Sequence, residues 1–184
     1  MKALVCYADG SEDIEVTSIT DILTRGGIEV TKAAVKPEGV EVTLAHGTRL
    51  VCDKNIAACT DTYDVIAIPG GLTGSENCRD CPILTEKLKA QRAAGRYVAA
   101  ICAAPGFVLA HHGIITDEVR ATGYPGCADN IKNYSPEGAV VDEAAKVITG
   151  KGPAFSFAFA FKILQCLKGD DVAAQVKAGM LYQD

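Results

Sequence analysis

The sequence predicts an α/β protein built on a mostly parallel sheet with helices on both faces. Three observations carry this prediction. KALVCYA, YDVIAIPGG and RYVAAIC are nearly continuous apolar runs of strand length, as expected of strands buried on both faces. Helical periodicity separates such runs and stops at glycine. The length, 184 residues, suits one layered domain with a sizeable core and is short for two, so a single domain spanning 1–184 is expected.

The first strand, KALVCYA, ends in the turn-like DGSED. A helix follows with Ile14, Ile19, Ile22 and Leu23 on its apolar face, stopping at Gly26-Gly27. IEVTKAAV reads as the second strand, and VEVTLAHGTRLVCD as a hairpin turning near His46-Gly47. YDVIAIPGG runs from a buried strand into a glycine loop, and ILTEKLKAQRAAG is an amphipathic helix ended by Gly95. RYVAAICAAPGFVLAHHG reads as strand, elbow and helix. Beyond it come a short strand at 119–121, a loop rich in Gly, Pro and Asn, and a hairpin in VVDEAAKVITG. The C-terminal part is helical from Pro153, with a break at Lys168-Gly169-Asp170.

Composition excludes several functions. The net charge is -5 with no basic run, which leaves nothing to neutralise phosphates, so no dedicated nucleic-acid surface is expected. The start, MKALVCYADG, lacks the apolar core of a leader. The longest apolar run, AFSFAFAFKILQCL, is interrupted by Ser156 and Lys162 and falls short of the ~18 residues a membrane span needs. It reads as a buried helix, and a cytoplasmic protein without membrane contact is the expectation. The eight cysteines are then reduced thiols, several of them plain core residues.

One of them differs. Cys102 stands where a buried strand stops, with small residues on both sides and Pro105 fitted to the first turn of a helix. That pattern suits a strained nucleophile elbow. The helix start should stabilise a thiolate there and lower the thiol's pKa. A nucleophile usually has a base beside it, yet His111 and His112 lie about 14 Å further along the same helix at 1.5 Å per residue. His46 belongs to the hairpin, reaching Cys102 only through the fold or a partner subunit. Glu12, Asp13 and Glu15 remain, at the same sheet edge as Cys102. A buried carboxyl beside the sulfur would be protonated, donate a hydrogen bond and serve as general acid/base; the residues alone do not choose among the three. Pro69-Gly70-Gly71 can aim backbone N–H groups into the site as an oxyanion hole. Cys78-Arg79-Asp80-Cys81 has CxxC spacing but neither a second ligand pair for zinc nor a thioredoxin-like setting, so a structural or incidental role is expected and no metal or cofactor is implied.

GSEDIE, AIPGG, AAICAAP, ATGYP and GKGPAFSFAFA, in that order along nearly the whole chain, resemble the ThiJ/PfpI family (class I glutamine amidotransferase-like), in the branch of the parkinsonism-associated protein deglycase and its bacterial relatives. The resemblance implies a flavodoxin-like sandwich and a homodimer with the site near its interface. Cys102 would be the oxidisable nucleophile and Glu15 the protonated glutamate on its sulfur. Gly71 and Ala103 would give the oxyanion N–H groups. Gly70, Tyr124, Arg25, His46 and Pro153 would lie nearby. Ala103 replaces the histidine of the family's proteases, and Tyr124 the histidine that some relatives carry before Pro125. The implied activity is cofactor-free conversion of 2-oxoaldehydes such as methylglyoxal to hydroxy acids, or removal of their adducts from proteins and nucleotides. The alternative is a redox-sensing stress protein or chaperone acting through a Cys102 sulfinate; a cysteine hydrolase ranks third, because no histidine can serve as its base.

Overall fold

The computed structural model describes residues 1–183. Nine strands and five α-helices follow in chain order: β1 (Lys2–Tyr7), α1 (Asp13–Arg25), β2 (Glu29–Ala34), β3 (Glu41–Thr43), β4 (Arg49–Val51), β5 (Lys54–Asn55), β6 (Val65–Ile68), α2 (Leu72–Arg79), α3 (Pro82–Ala93), β7 (Tyr97–Ile101), β8 (Ala139–Asp142), β9 (Val147–Gly150), α4 (Ser156–Lys168) and α5 (Asp170–Gly179). The main sheet has the order β5-β2-β1-β6-β7-β9-β8; it is parallel except at β8, which pairs antiparallel with β9. β3 and β4 form the separate hairpin at His46-Gly47.

The pleat explains the unbroken apolar strands. Along β1, Ala3, Val5 and Tyr7 pack with α1, α4 and α5, whereas Leu4 and Cys6 pack with α2, α3 and the turn after β7. Successive residues alternate faces, so a strand covered on both sides has no polar position. Because β1 lies between β2 and β6, the chain reverses its direction of winding there. The carboxyl ends of β1, β6 and β7 therefore border the crevice where such folds place their sites.

Four expectations are corrected. Ile14 is 55% exposed and not on the apolar face of α1. The buried arc is centred on Ile19, and Ile14, five residues earlier, lies roughly 140° around the helix from it. The segment 119–121 is no strand: Ala121 makes one isolated bridge to Tyr134, while the Arg120 N–H donates to the Asp142 carboxylate. After Cys102 the helix is a π-type turn, Pro105–Ala110, that ends before the two histidines. In α4 the apolar run is not buried throughout, since Phe157 remains 41% exposed. The polar stretch LTGSENCR, silent in the periodicity, forms α2.

Candidate active site at the Cys102 elbow

β7 delivers Cys102 in the left-handed region, at φ 66°. That is strained for a non-glycine residue and is held only where surrounding bonds over-determine it. Here the Cys102 N–H donates to the Gly150 carbonyl at 2.9 Å, and its own carbonyl accepts from the Tyr124 N–H at 2.7 Å. The side chain is thereby turned from the strand into the crevice, where it is only 9% exposed. The backbone N–H groups of Gly71 and Ala103 face its sulfur and pull its pKa down.

α1 supplies the carboxyl. Glu15 is fully buried, and its Oε2 accepts from the Gly70 N–H at 2.7 Å. Its Oε1 is buried without a hydrogen-bond partner of ordinary geometry, although the side chain interacts with Cys102. Burial drives the Glu15 pKa up to about 7 against the pull of the Gly70 N–H and Cys102, with the neighbouring Glu12 pushing the same way as burial. The Cys102 thiol is pushed up to about 12, by burial first and then by the Glu15 carboxylate; the Gly71 and Ala103 N–H groups pull it down. The expected fall in the thiol's pKa is thus overturned, because desolvation outweighs the helix start while Glu15 is ionised. The two groups titrate as a pair. Around pH 7 Glu15 gives up its own proton while the sulfur keeps its proton, so a thiolate forms only by passing that proton to Glu15.

Gly70 and Gly71 are fixed by close approach. A Cβ on Gly70 would stand 2.5 Å from Cys102 Cβ and 2.7 Å from Glu15 Oε2, inside the pair itself. Gly71 has φ +82°, and a Cβ there would meet the Gly10 carbonyl oxygen at 2.2 Å. Gly71→Ala is accordingly expected to destabilise the fold by at least about 2 kcal/mol and to displace a donor from the sulfur. Thermal unfolding checks the first effect; an unchanged melting temperature would show that the loop relaxes freely.

The crevice thus brings together Cys102, Glu15, Gly70, Gly71 and Ala103. Tyr124, 48% exposed, stands at its edge, and a Cβ on the residue before Pro153 would come within 3.3 Å of its ring. His46 sits on the rim, with Nδ1 3.2 Å from Asp13 Oδ2 and 3.8 Å from Glu12 Oε1. Arg25 is not brought in within this chain: it ends α1, ten residues and about 15 Å beyond Glu15, where it pairs with Asp21 at 2.6 Å. His112 is engaged elsewhere, its Nε2 2.8 Å from the Arg79 carbonyl. Glu12 has a part the sequence reading missed: as N-cap of α1 it accepts the Glu15 N–H at 2.8 Å and so orients the buried carboxyl. Glutamate is not a favoured cap, so only its place just before the helix could have signalled it. Among the described residues no group of three or more His, Cys, Asp or Glu side chains could hold a metal ion. No helix among them is long and apolar enough to cross a membrane.

Fold and site together define an α/β protein with a cysteine elbow and a buried carboxyl partner. The sequence profile of the DJ-1/PfpI family matches residues 1–166. The Parkinson disease protein 7 homolog of Danio rerio is 36% identical over 196 residues, covering 100% of this chain and 98% of that protein. The glutathione-independent glyoxalase DJR-1.2 of Caenorhabditis elegans is 35% identical over 173 residues, covering 89% and 86%. The structure of oxidized Toxoplasma gondii DJ-1 superposes with a TM-score of 0.94 at 38% identity, covering 100% of this chain and 99% of that one. The chain belongs to the DJ-1/PfpI family, and its flavodoxin-like sandwich is the one the motifs implied.

Proposed function

We propose that the protein converts small 2-oxoaldehydes, such as methylglyoxal, to 2-hydroxy acids without a cofactor, with Cys102 as nucleophile and Glu15 as general acid/base. The observation that carries this reading is a buried cysteine whose sulfur meets two backbone N–H donors and one carboxyl with a pKa near 7. The name of the Caenorhabditis elegans relative supports it. Glu15 takes the thiol proton as the sulfur adds to the aldehyde carbon, then returns it to the aldehyde oxygen, giving a hemithioacetal. The Gly71 and Ala103 N–H groups, aimed at the sulfur, also stand where oxygen charge develops next to it. Glu15, ionised again, removes the proton from the former aldehyde carbon and delivers it to the adjacent carbonyl carbon, while the hemithioacetal hydroxyl proton passes to the former ketone oxygen. The product is an acyl thioester on Cys102, which water hydrolyses to the hydroxy acid and the free thiol. Adducts of the same aldehydes on proteins or nucleotides are further substrates of this reading.

The test is incubation with methylglyoxal in buffer free of primary amines, with lactate quantified against protein. Many lactate molecules per chain are expected. At most one equivalent would sink the enzymatic reading and leave a thiol that scavenges aldehyde.

One feature favours a redox role for the same cysteine: a protonated Glu15 can donate to an oxygen placed on the sulfur. Peroxide titration of the Cys102 peptide by mass separates this reading. It requires a sulfinate that persists in wild type and is overoxidised to sulfonate in Glu15→Gln.

A further inference from the structure

The fold gathers two sequence features that the Cys102 chemistry does not use, the CxxC run and the paired histidines after the π-type turn, beside a cavity at the ends of β1 and β2. Cys78 is the penultimate residue of α2, and Cys81 caps α3. The Cys81 N–H donates to the Cys78 carbonyl at 3.4 Å, and Asp80 between them has φ -85° and ψ 4°. Those angles mark the third position of a type I turn. Such a turn keeps its end Cα atoms within about 7 Å, which spans most of the range a disulfide bridges. The Cys81 sulfur is close enough to add to burial in holding the Cys78 thiol's pKa up.

The turn is braced from outside. His112 Nε2–H donates to the Arg79 carbonyl at 2.8 Å and lies 3.2 Å from Thr85 Oγ1, which itself donates to the Cys81 carbonyl at 3.2 Å. Arg79 forms two hydrogen bonds to the Asp80 carboxylate, at 2.7 and 3.0 Å. The thiols differ in access. Cys78 is fully buried. Cys81 is partly exposed and lines a cavity of about 460 Å³ with Asp9, Lys36, Asn77, Pro82 and Ile83. α2, eight residues or about 12 Å long, separates this pair from Gly71 and the Cys102 pocket.

We propose that Cys78 and Cys81 form a second redox centre, a dithiol that closes to a disulfide by exchange with low-molecular-weight disulfides entering the cavity. Cys81 as thiolate attacks one sulfur of the incoming disulfide, whose S–S bond breaks and releases one thiol. Cys78 then attacks the Cys81 sulfur and expels the second thiol, which takes up the Cys78 proton. The dithiol loses two electrons and the small disulfide gains them. Burial disfavours the Cys78 thiolate, so the reduced pair lacks the thiolate stabilisation that makes such disulfides strongly oxidising. Sequence alone gave the CxxC run a structural or incidental part because its brace comes from residues 4 to 31 positions away, which spacing does not show.

The test uses wild-type protein equilibrated in glutathione buffers, from fully reduced to fully oxidised, then acid-quenched, alkylated and digested with trypsin. Cleavage at Arg79 separates peptide 55–79, carrying Cys59 and Cys78, from peptide 80–87, carrying Cys81. The expected result is one two-electron transition to joined peptides, with fragmentation placing the bond between Cys78 and Cys81; Cys81→Ser abolishes the joined species. The proposal is overturned if both cysteines stay alkylated throughout, if Cys81 rests as a glutathione mixed disulfide with Cys78 free, or if the bond runs to Cys59.

Discussion

Glu15→Gln melts above the wild type at pH 8, and the gap closes as the pH falls to 4.5. The wild-type carboxyl has its pKa raised from 4.5 to about 7 by burial. Across that interval the folded state keeps a proton that the unfolded chain releases, so wild-type stability falls as pH rises. Above the interval the protein carries the whole cost of a buried charge, about 3 kcal/mol at 1.36 kcal/mol per pH unit. The amide variant has no charge to bury and keeps an oxygen for the Gly70 N–H. For a chain of this size the difference is roughly 6–12 °C at pH 8. A gap independent of pH would show that Glu15 is not held protonated by the fold. The same variant is expected to lose about 10²–10⁴-fold in methylglyoxal turnover, so greater stability and lower activity come together, as they do where a strained site is relieved.

Cys102→Ser has the largest expected effect on activity, a loss of at least about 10³-fold in lactate formation. The hydroxyl is close in size and keeps the two backbone donors, so the melting temperature stays within about 3 °C of wild type. What is lost is nucleophilicity: Glu15, poised near pH 7, can take a thiol proton but is far too weak a base for an alcohol. Steady-state lactate formation measured beside thermal unfolding separates the two effects. Retained turnover in this variant would move the chemistry away from the elbow altogether.

Much of the architecture was legible in the sequence, for a physical reason. β1, β6 and β7 are buried on both faces, so their apolar runs admit only a covered sheet. Gly26 and Gly95 mark the helix ends where periodicity also stops. The elbow was legible too, because a strand ending in Ile101-Cys102-Ala103 with Pro105 close behind leaves few other conformations. Longer-range effects were not. α2 has no apolar stripe and stands on its contacts with the turn after β7. Val119 to Ala121 has strand-forming residues, but their backbone groups are taken by Thr116, Asp142 and Asn133. The choice of Glu15 over Glu12 and Asp13 depends on which way α1 faces, and the misplaced Ile14 concealed that. The sign of the Cys102 shift depends on desolvation, which requires the three-dimensional surroundings of the sulfur. Arg25 was carried to the site by family likeness, whereas within this chain the length of α1 takes it about 15 Å from Glu15.

The most direct test of the Cys102 mechanism is to stop methylglyoxal turnover with acid and map the protein by mass. One methylglyoxal mass should appear on the peptide bearing Cys102, removable by hydroxylamine as a thioester is, and absent from Cys102→Ser. Turnover that continues with Cys102 unmodified, or with the added mass only on other residues, would contradict it.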